Sequence, residues 1–173
     1  MKLILTIVIA IAVTAPASST QGSQSAASNE SVQLKALPAI ALQDFDGKTV
    51  PTEKFKDKIV VLDFWATWCG PCLAEIPELN RLQEKYGDKG VKVVGVTMAS
   101  GEAKEVKPFI ARNKMKYTVL MGDDDQAYDF NVVAFPTTYL LTKDLKIFRR
   151  YIGAGPRKAA QIEGDIQKLL AMN

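Results

Sequence analysis

Nine residues from Lys58 to Ala66, KIVVLDFWA, are apolar almost without interruption, and a helical pattern begins within a few residues of their end. β-branched and aromatic side chains in so continuous a run predict a strand buried on both faces, near the centre of a sheet. The stretch that follows, CLAEIPELNRLQEKYG, repeats apolar residues at helical spacing (Leu73, Ile76, Leu79, Leu82). It predicts a helix kinked at Pro77 and terminated at Gly87. One acid, Asp63, interrupts the apolar run.

The remaining chain alternates in the same way. LPAIALQDFDGKTVP, either side of an Asp-Gly turn signal, predicts a small N-terminal β-hairpin. VKVVGVTM reads as a strand, EAKEVKPFIARNKM as a helix interrupted or started by Pro108, YTVLMG as a short strand and DDDQAYDF as a brief helix. TTYLLT and KIFRRYIG read as two strands joined at KDLK, and RKAAQIEGDIQKLLAM as an amphipathic closing helix. The order implies an α/β domain, a mixed central sheet covered by helices on both faces. Asp123, Asp124 and Asp125 read as a solvated loop and helix N-cap, since they lack the spacing of a calcium loop.

The chain has 173 residues and no histidine, which excludes Ser-His-Asp and Cys-His catalysis, His-ligated metals and axial His ligation of haem. Its two cysteines alone cannot complete a tetrahedral zinc site, so no metal is expected. At 47% hydrophobic and 24% charged it fits one soluble domain, and a formal net charge of +3 is too small to suggest nucleic acid. Met1 and Lys2, the apolar run from Leu3 to Val13 and the small residues Ala15-Pro16-Ala17 read as an export signal over residues 1–17, cleaved after Ala17. An uncleaved N-terminal membrane anchor is the alternative, although the apolar run is shorter than the roughly 20 residues that span a bilayer. Residues 18–35, rich in Ser, Gln and Ala, suit a disordered tether, which leaves 36–173 as the folded domain. The expected location is therefore the periplasm.

Both cysteines lie in Cys69-Gly70-Pro71-Cys72, at the start of the predicted helix. That places Cys69 at or just before the helix N-terminus, where unpaired N–H groups and the dipole favour a thiolate, and Cys72 one turn further in. Cys69 is then the attacking thiol on a substrate disulfide and Cys72 the resolving one. Gly70 permits a tight turn that leaves room over the sulfurs, and Pro71 suits the first helical turn. A purely structural disulfide closing so small a loop contributes little chain entropy. Two carboxylates are candidates for the missing base. Asp63, six residues before Cys69, is placed beneath the helix start, where burial raises its pKa and lets it accept the Cys72 proton; the alternative is a buried acid paired with a lysine. Glu75, three residues after Cys72, shares its helical face, although a first-turn glutamate is also favoured by the dipole alone.

The run DFWATWCGPC resembles the active-site strand, turn and helix of thioredoxins, with Pro77 at the position of the family's helix-kinking proline. FWATWCGPCLAEIPEL together with FPTTYLL is more similar to the exported TlpA-like and ResA-like thiol-disulfide oxidoreductases, over roughly Ala36 to Ala171. The resemblance implies a thioredoxin fold with an added N-terminal hairpin and a small central insert near ASGEAKEV. Asp63 matches the buried aspartate of thioredoxins and Glu75 the active-site glutamate of ResA-like proteins; holding both departs from either pattern. Pro136 matches the family's cis-proline facing the C-x-x-C, against the alternative of a trans proline opening an edge strand. Phe135 before it is implied to line the groove where substrate backbone pairs as an added strand. Trp68 is either a substrate platform over the site or a packing aromatic. Leu145 stands where the family usually has glycine in a turn.

The implied activity is that of an exported reductant of protein disulfides, with apocytochrome c cysteines as one substrate class and a membrane thiol carrier as electron donor. No cofactor beyond the redox-active Cys69–Cys72 disulfide is expected, and the chain is expected to act as a monomer. A disulfide oxidase or isomerase and a non-catalytic binding domain remain the alternatives. A peroxidase is disfavoured because no P-x-x-x-T-x-x-C segment precedes either cysteine.

Overall fold

The computed structural model describes residues 35–172 except residue 39. The expected signal, all but the last residue of the tether, and Asn173 at the end of the expected domain lie outside the described residues.

Seven strands form one sheet: β1 (Ala41–Gln43), β2 (Thr49–Pro51), β3 (Ile59–Trp65), β4 (Val91–Thr97), β5 (Thr118–Met121), β6 (Thr137–Leu141) and β7 (Ile147–Ile152). Their order is β2-β1-β5-β4-β3-β6-β7. β3, β4 and β5 run parallel, whereas β6, β7, β1 and β2 pair antiparallel with their neighbours. Four helices complete the domain: α1 (Gly70–Tyr86), α2 (Ala103–Arg112), α3 (Asp124–Asp129) and α4 (Pro156–Ala171). This is the helix-flanked mixed sheet that the alternating pattern predicts.

The continuous apolar run is β3, and every residue from Ile59 to Trp65 is buried. Successive side chains point to opposite faces, so Ile59, Val61 and Trp65 join the core under α1 and α4, while Val60, Leu62 and Phe64 join the core shared with Leu42, Phe55 and Phe130. Each such side chain contributes roughly 1.5–3 kcal/mol by leaving water. Asp63 takes the position between Val61 and Trp65 and therefore belongs to the α1–α4 side.

α1 stops at Gly87 as expected, although Gly87 itself has φ −54°: a short 3-10 turn (Gly87–Lys89) follows, and Gly90 at φ +87° makes the reversal. One local reading needs correction. Pro108 neither starts nor interrupts α2 but lies inside it, because the helix begins at Ala103 behind a Glu102–Glu105 capping box. The stretch near ASGEAKEV, expected to hold a small insert, forms the loop after β4 and the first turn of α2, and β5 beyond it is the strand to which β1 pairs. At the N-terminal turn, Asp44 Oδ1 accepts the N–H groups of Asp46 and Lys48 at 2.9 Å each, and β1 pairs with β2 across it.

Candidate active site

Cys69 is the N-cap of α1. Its sulfur accepts the Cys72 N–H at 3.2 Å, its carbonyl accepts the Leu73 N–H at 3.1 Å, and Pro71 occupies the first turn. The two sulfurs are joined in a disulfide. Both residues are buried, but only Cys69 lines the surface groove beside them.

The turn before Cys69 is held by a loop that the sequence did not single out. The Met98 N–H donates to the Trp65 carbonyl at 2.8 Å, the Thr67 N–H to Ser100 Oγ at 2.9 Å, and the Trp68 indole Nε1–H to the Ala99 carbonyl at 2.9 Å. Ala99 adopts φ +45° to present that carbonyl. Trp68 is thereby tethered at its polar edge while remaining 66% exposed, with its ring 5.8 Å from that of Phe135 in an edge-on contact. The Phe135–Pro136 peptide is cis. Trp68, Cys69, Gly70 and Pro71 face Val132, Val133, Ala134 and Phe135 across a groove of about 450 Å³. Pro136 itself is buried behind it, at the start of β6.

Asp63 is 2% exposed. Its strand neighbours offer little: Gly95 is its partner on β4, and Thr138 on β6 donates its hydroxyl to Asp63 Oδ1 at 2.6 Å. Burial pushes the Asp63 carboxyl up to about 7, opposed by the positive charge of Lys158 and the Thr138 hydrogen bond and reinforced by the negative charge of Glu75. Glu75 is not in the first turn of α1, which holds no acid, so the dipole does not account for it. Its Oε2 accepts from Lys158 Nζ at 2.8 Å, with both side chains about nine-tenths buried. Burial raises the Glu75 carboxyl above its usual range, while Lys158 and the backbone N–H of Gly155 pull it back.

The structure thus brings Asp63, Glu75 and the Cys69–Cys72 helix together and adds Lys158, which sequence reasoning missed. A signal for it was present. Lys158, Ile162, Asp165, Ile166 and Leu169 form the buried stripe of α4, so a lysine stands at a position where the period demands an apolar side chain. Among the described residues no group of three or more Cys, Asp or Glu side chains converges as metal ligands do.

Comparison with known proteins agrees with this geometry. Residues 32–166 match the Redoxin family model. The chain belongs to the redoxin family. It is 33% identical over 145 residues to the thiol-disulfide oxidoreductase ResA of Bacillus cereus, covering 83% of this chain and 82% of that one. It is 32% identical over 130 residues to the thioredoxin-like protein YneN of Bacillus subtilis, covering 75% and 76%. Among solved structures, a Chlorobium tepidum protein provisionally assigned as the thiol:disulfide interchange protein DsbE superposes with a TM-score of 0.74 at 29% identity, covering 79% of this chain and 96% of that one. This redoxin is therefore a ResA-like member of the thioredoxin superfamily, and its chemistry is that of a thiol-disulfide oxidoreductase.

Proposed function

We propose that the protein is an exported, periplasmic reductant of protein disulfides. The observation that carries the reading is Cys69 as the N-cap of α1 on an open groove, with Cys72 behind it and Gly70-Pro71 between them. The helix N-terminus stabilises negative charge at Cys69, which makes it the attacking sulfur. In the reduced protein the Cys69 thiolate attacks a substrate disulfide, a mixed disulfide forms, and one substrate sulfur leaves. Cys72 then loses its proton to a buried carboxylate and attacks Cys69 Sγ, the Cys69–substrate bond breaks, and two electrons have passed to the substrate.

Trp68, Gly70, Pro71 and Phe135 line the substrate groove with Pro136 behind them, and an extended polypeptide lies beside Ala134 and Phe135, just before β6. The electron pair is carried by the Cys69–Cys72 dithiol, which closes to the disulfide as the substrate is reduced, so no further cofactor is needed. A membrane thiol carrier restores the dithiol, apocytochrome c cysteines are one fitting substrate class, and the chain acts as a monomer. The apolar run at Leu3–Val13 supports export; among the described residues no helix is long and apolar enough to cross a membrane.

The test is the reduction potential of the Cys69–Cys72 couple, measured by equilibration against glutathione and dithiothreitol buffers with thiol trapping. A value at or below about −250 mV is expected, in the range of thioredoxin. A value above about −180 mV overturns the reductant in favour of an oxidase or isomerase, and a pair that never forms the disulfide leaves only a binding domain.

A further inference from the structure

Two acids near each other, Asp63 on β3 and Glu75 on the helix that Cys69 caps, raise the question of which one carries the proton. The geometry separates them. Among the described residues Asp63 accepts one hydrogen bond, from the Thr138 hydroxyl, and Gly95 opposite it on β4 supplies no side chain. Glu75 is held by two donors, the Lys158 ammonium at 2.8 Å and the Gly155 N–H. Glu75 also lines a surface depression of about 400 Å³ with Ala74, Gly155, Pro156 and Ala159, whereas Asp63 is 2% exposed.

We propose that Lys158 is a positioning residue that divides the work between the two carboxylates: it fixes Glu75 as its anionic partner and leaves Asp63 to take and return the Cys72 proton. The inference rests on the exchange reading above. A lysine contacting a carboxylate in a dry site favours the ionised acid, because breaking up the pair leaves an uncompensated charge. The groups around this cluster are Asp63 on β3, Thr138 on β6, Glu75 and the two cysteines on α1, Lys158 on α4, and Tyr117 just before β5. Tyr117 stays neutral, because burial pushes its phenol far above the usual range. One cation against two acids leaves room for one proton, and Lys158 decides where it sits. Without that cation the acids become near-equivalent and repel each other, so the shared proton is held more tightly.

The experiment uses the reduced full chain and Ellman's disulfide as probe. Cys69 attack releases a first thionitrobenzoate, and Cys72 resolution releases the second. In the wild type, Asp63→Asn slows the second phase about tenfold or more near neutral pH, the scale of a lost general base. Glu75→Gln slows it about threefold at most, well short of that general-base scale. Lys158→Met moves the pH midpoint of the second phase up by about one unit or more and evens out the effects of Asp63→Asn and Glu75→Gln, while Lys158→Arg restores the wild-type profile. An unchanged pH profile in folded Lys158→Met overturns the proposal, as does a second phase lost with Glu75→Gln and kept with Asp63→Asn.

Should Lys158→Met fail to fold, infrared spectra of the reduced wild type below neutral pH decide the matter. A protonated-carboxyl stretch that vanishes in Asp63→Asn and persists in Glu75→Gln supports the assignment, and the reverse sinks it. Absence of the first release would instead refute thiol exchange, and the infrared assignment would still stand or fall by itself.

Discussion

Asp63 is a residue whose chemistry and stability pull in opposite directions. Its ordinary carboxylate value is 3.8 and burial raises it to about 7 in the folded protein. The native state therefore holds a proton that the unfolded chain has released between those limits. Stability attributable to Asp63 is fully present below about pH 4 and is lost as pH rises through about 7. Asp63→Asn keeps the shape and removes the ionisation, so it should be nearly neutral below pH 4 and increasingly stabilising above it, by up to roughly 4 kcal/mol once pH exceeds 7. Chemical denaturation of both proteins at pH 4 and pH 8 checks this; an equal difference at the two values refutes it. Leu145 is a smaller case of the same tension. It adopts φ +59° in the β6–β7 turn, the conformation for which glycine is the unstrained choice, and gains apolar contact with the core in exchange.

Among the elements, α4 matters most to the site because its first turn delivers both Lys158 and the neighbouring Gly155 N–H to Glu75. Gly155 caps the helix at φ +127° and ψ 170°, a backbone region open essentially to glycine alone. A methyl group there would meet nothing within 4 Å, so the cost of substitution lies in the backbone and not in packing. Gly155→Ala should lower the denaturation free energy by about 1–3 kcal/mol. A midpoint in urea indistinguishable from wild type would contradict the backbone argument. The loop after β4 has the corresponding duty on the other side, since the Ala99 carbonyl and Ser100 hydroxyl hold the turn that carries Trp68 and Cys69.

At the scale of the whole molecule, the helices that build the site must stay registered on one another. α1 and α4 are joined beside the site by Glu75 and Lys158, and farther along by Glu163, which accepts from Arg81, from Lys85 at 2.6 Å and from the Tyr86 hydroxyl at 2.8 Å. Those donors, Arg81 first, hold the Glu163 carboxyl down at about 2, against an ordinary value of 4.5. The sign is opposite to that of Asp63: this stabilisation is present above about pH 4.5 and lost as pH falls through about 2. Arg81 and Lys85 are over two-fifths exposed, so solvent screening limits the network to about 1–2 kcal/mol. Glu163→Gln should cost that amount at pH 7, and the gap should narrow steadily between pH 4.5 and 2 in acid-denaturation curves. A gap independent of pH would assign the loss to packing instead.

What this sequence determined by itself is the part of the protein written in local periodicity and in short motifs. The apolar run at Ile59–Trp65, the helical repeat after Cys72, the Asp-Gly turn and the C-G-P-C spacing each act over a few residues, and each is found where those patterns put it. Even Asp63 was legible as an anomaly, because an acid inside a strand buried on both faces breaks its own pattern. The pairing beside it was not legible, since Lys158 lies 83 positions beyond Glu75 and meets it only when α4 is laid against α1. The grip of Ala99 and Ser100 on the active-site turn depends likewise on parallel pairing of β3 with β4. Pro108 reads locally as a helix start or interruption, yet helical backbone runs through it from Ala103 to Arg112 behind the Glu102–Glu105 capping box. Which carboxylate titrates is settled by solvent exclusion and by a cation from a distant helix. Those are properties of the packed interior, and no window of sequence contains them.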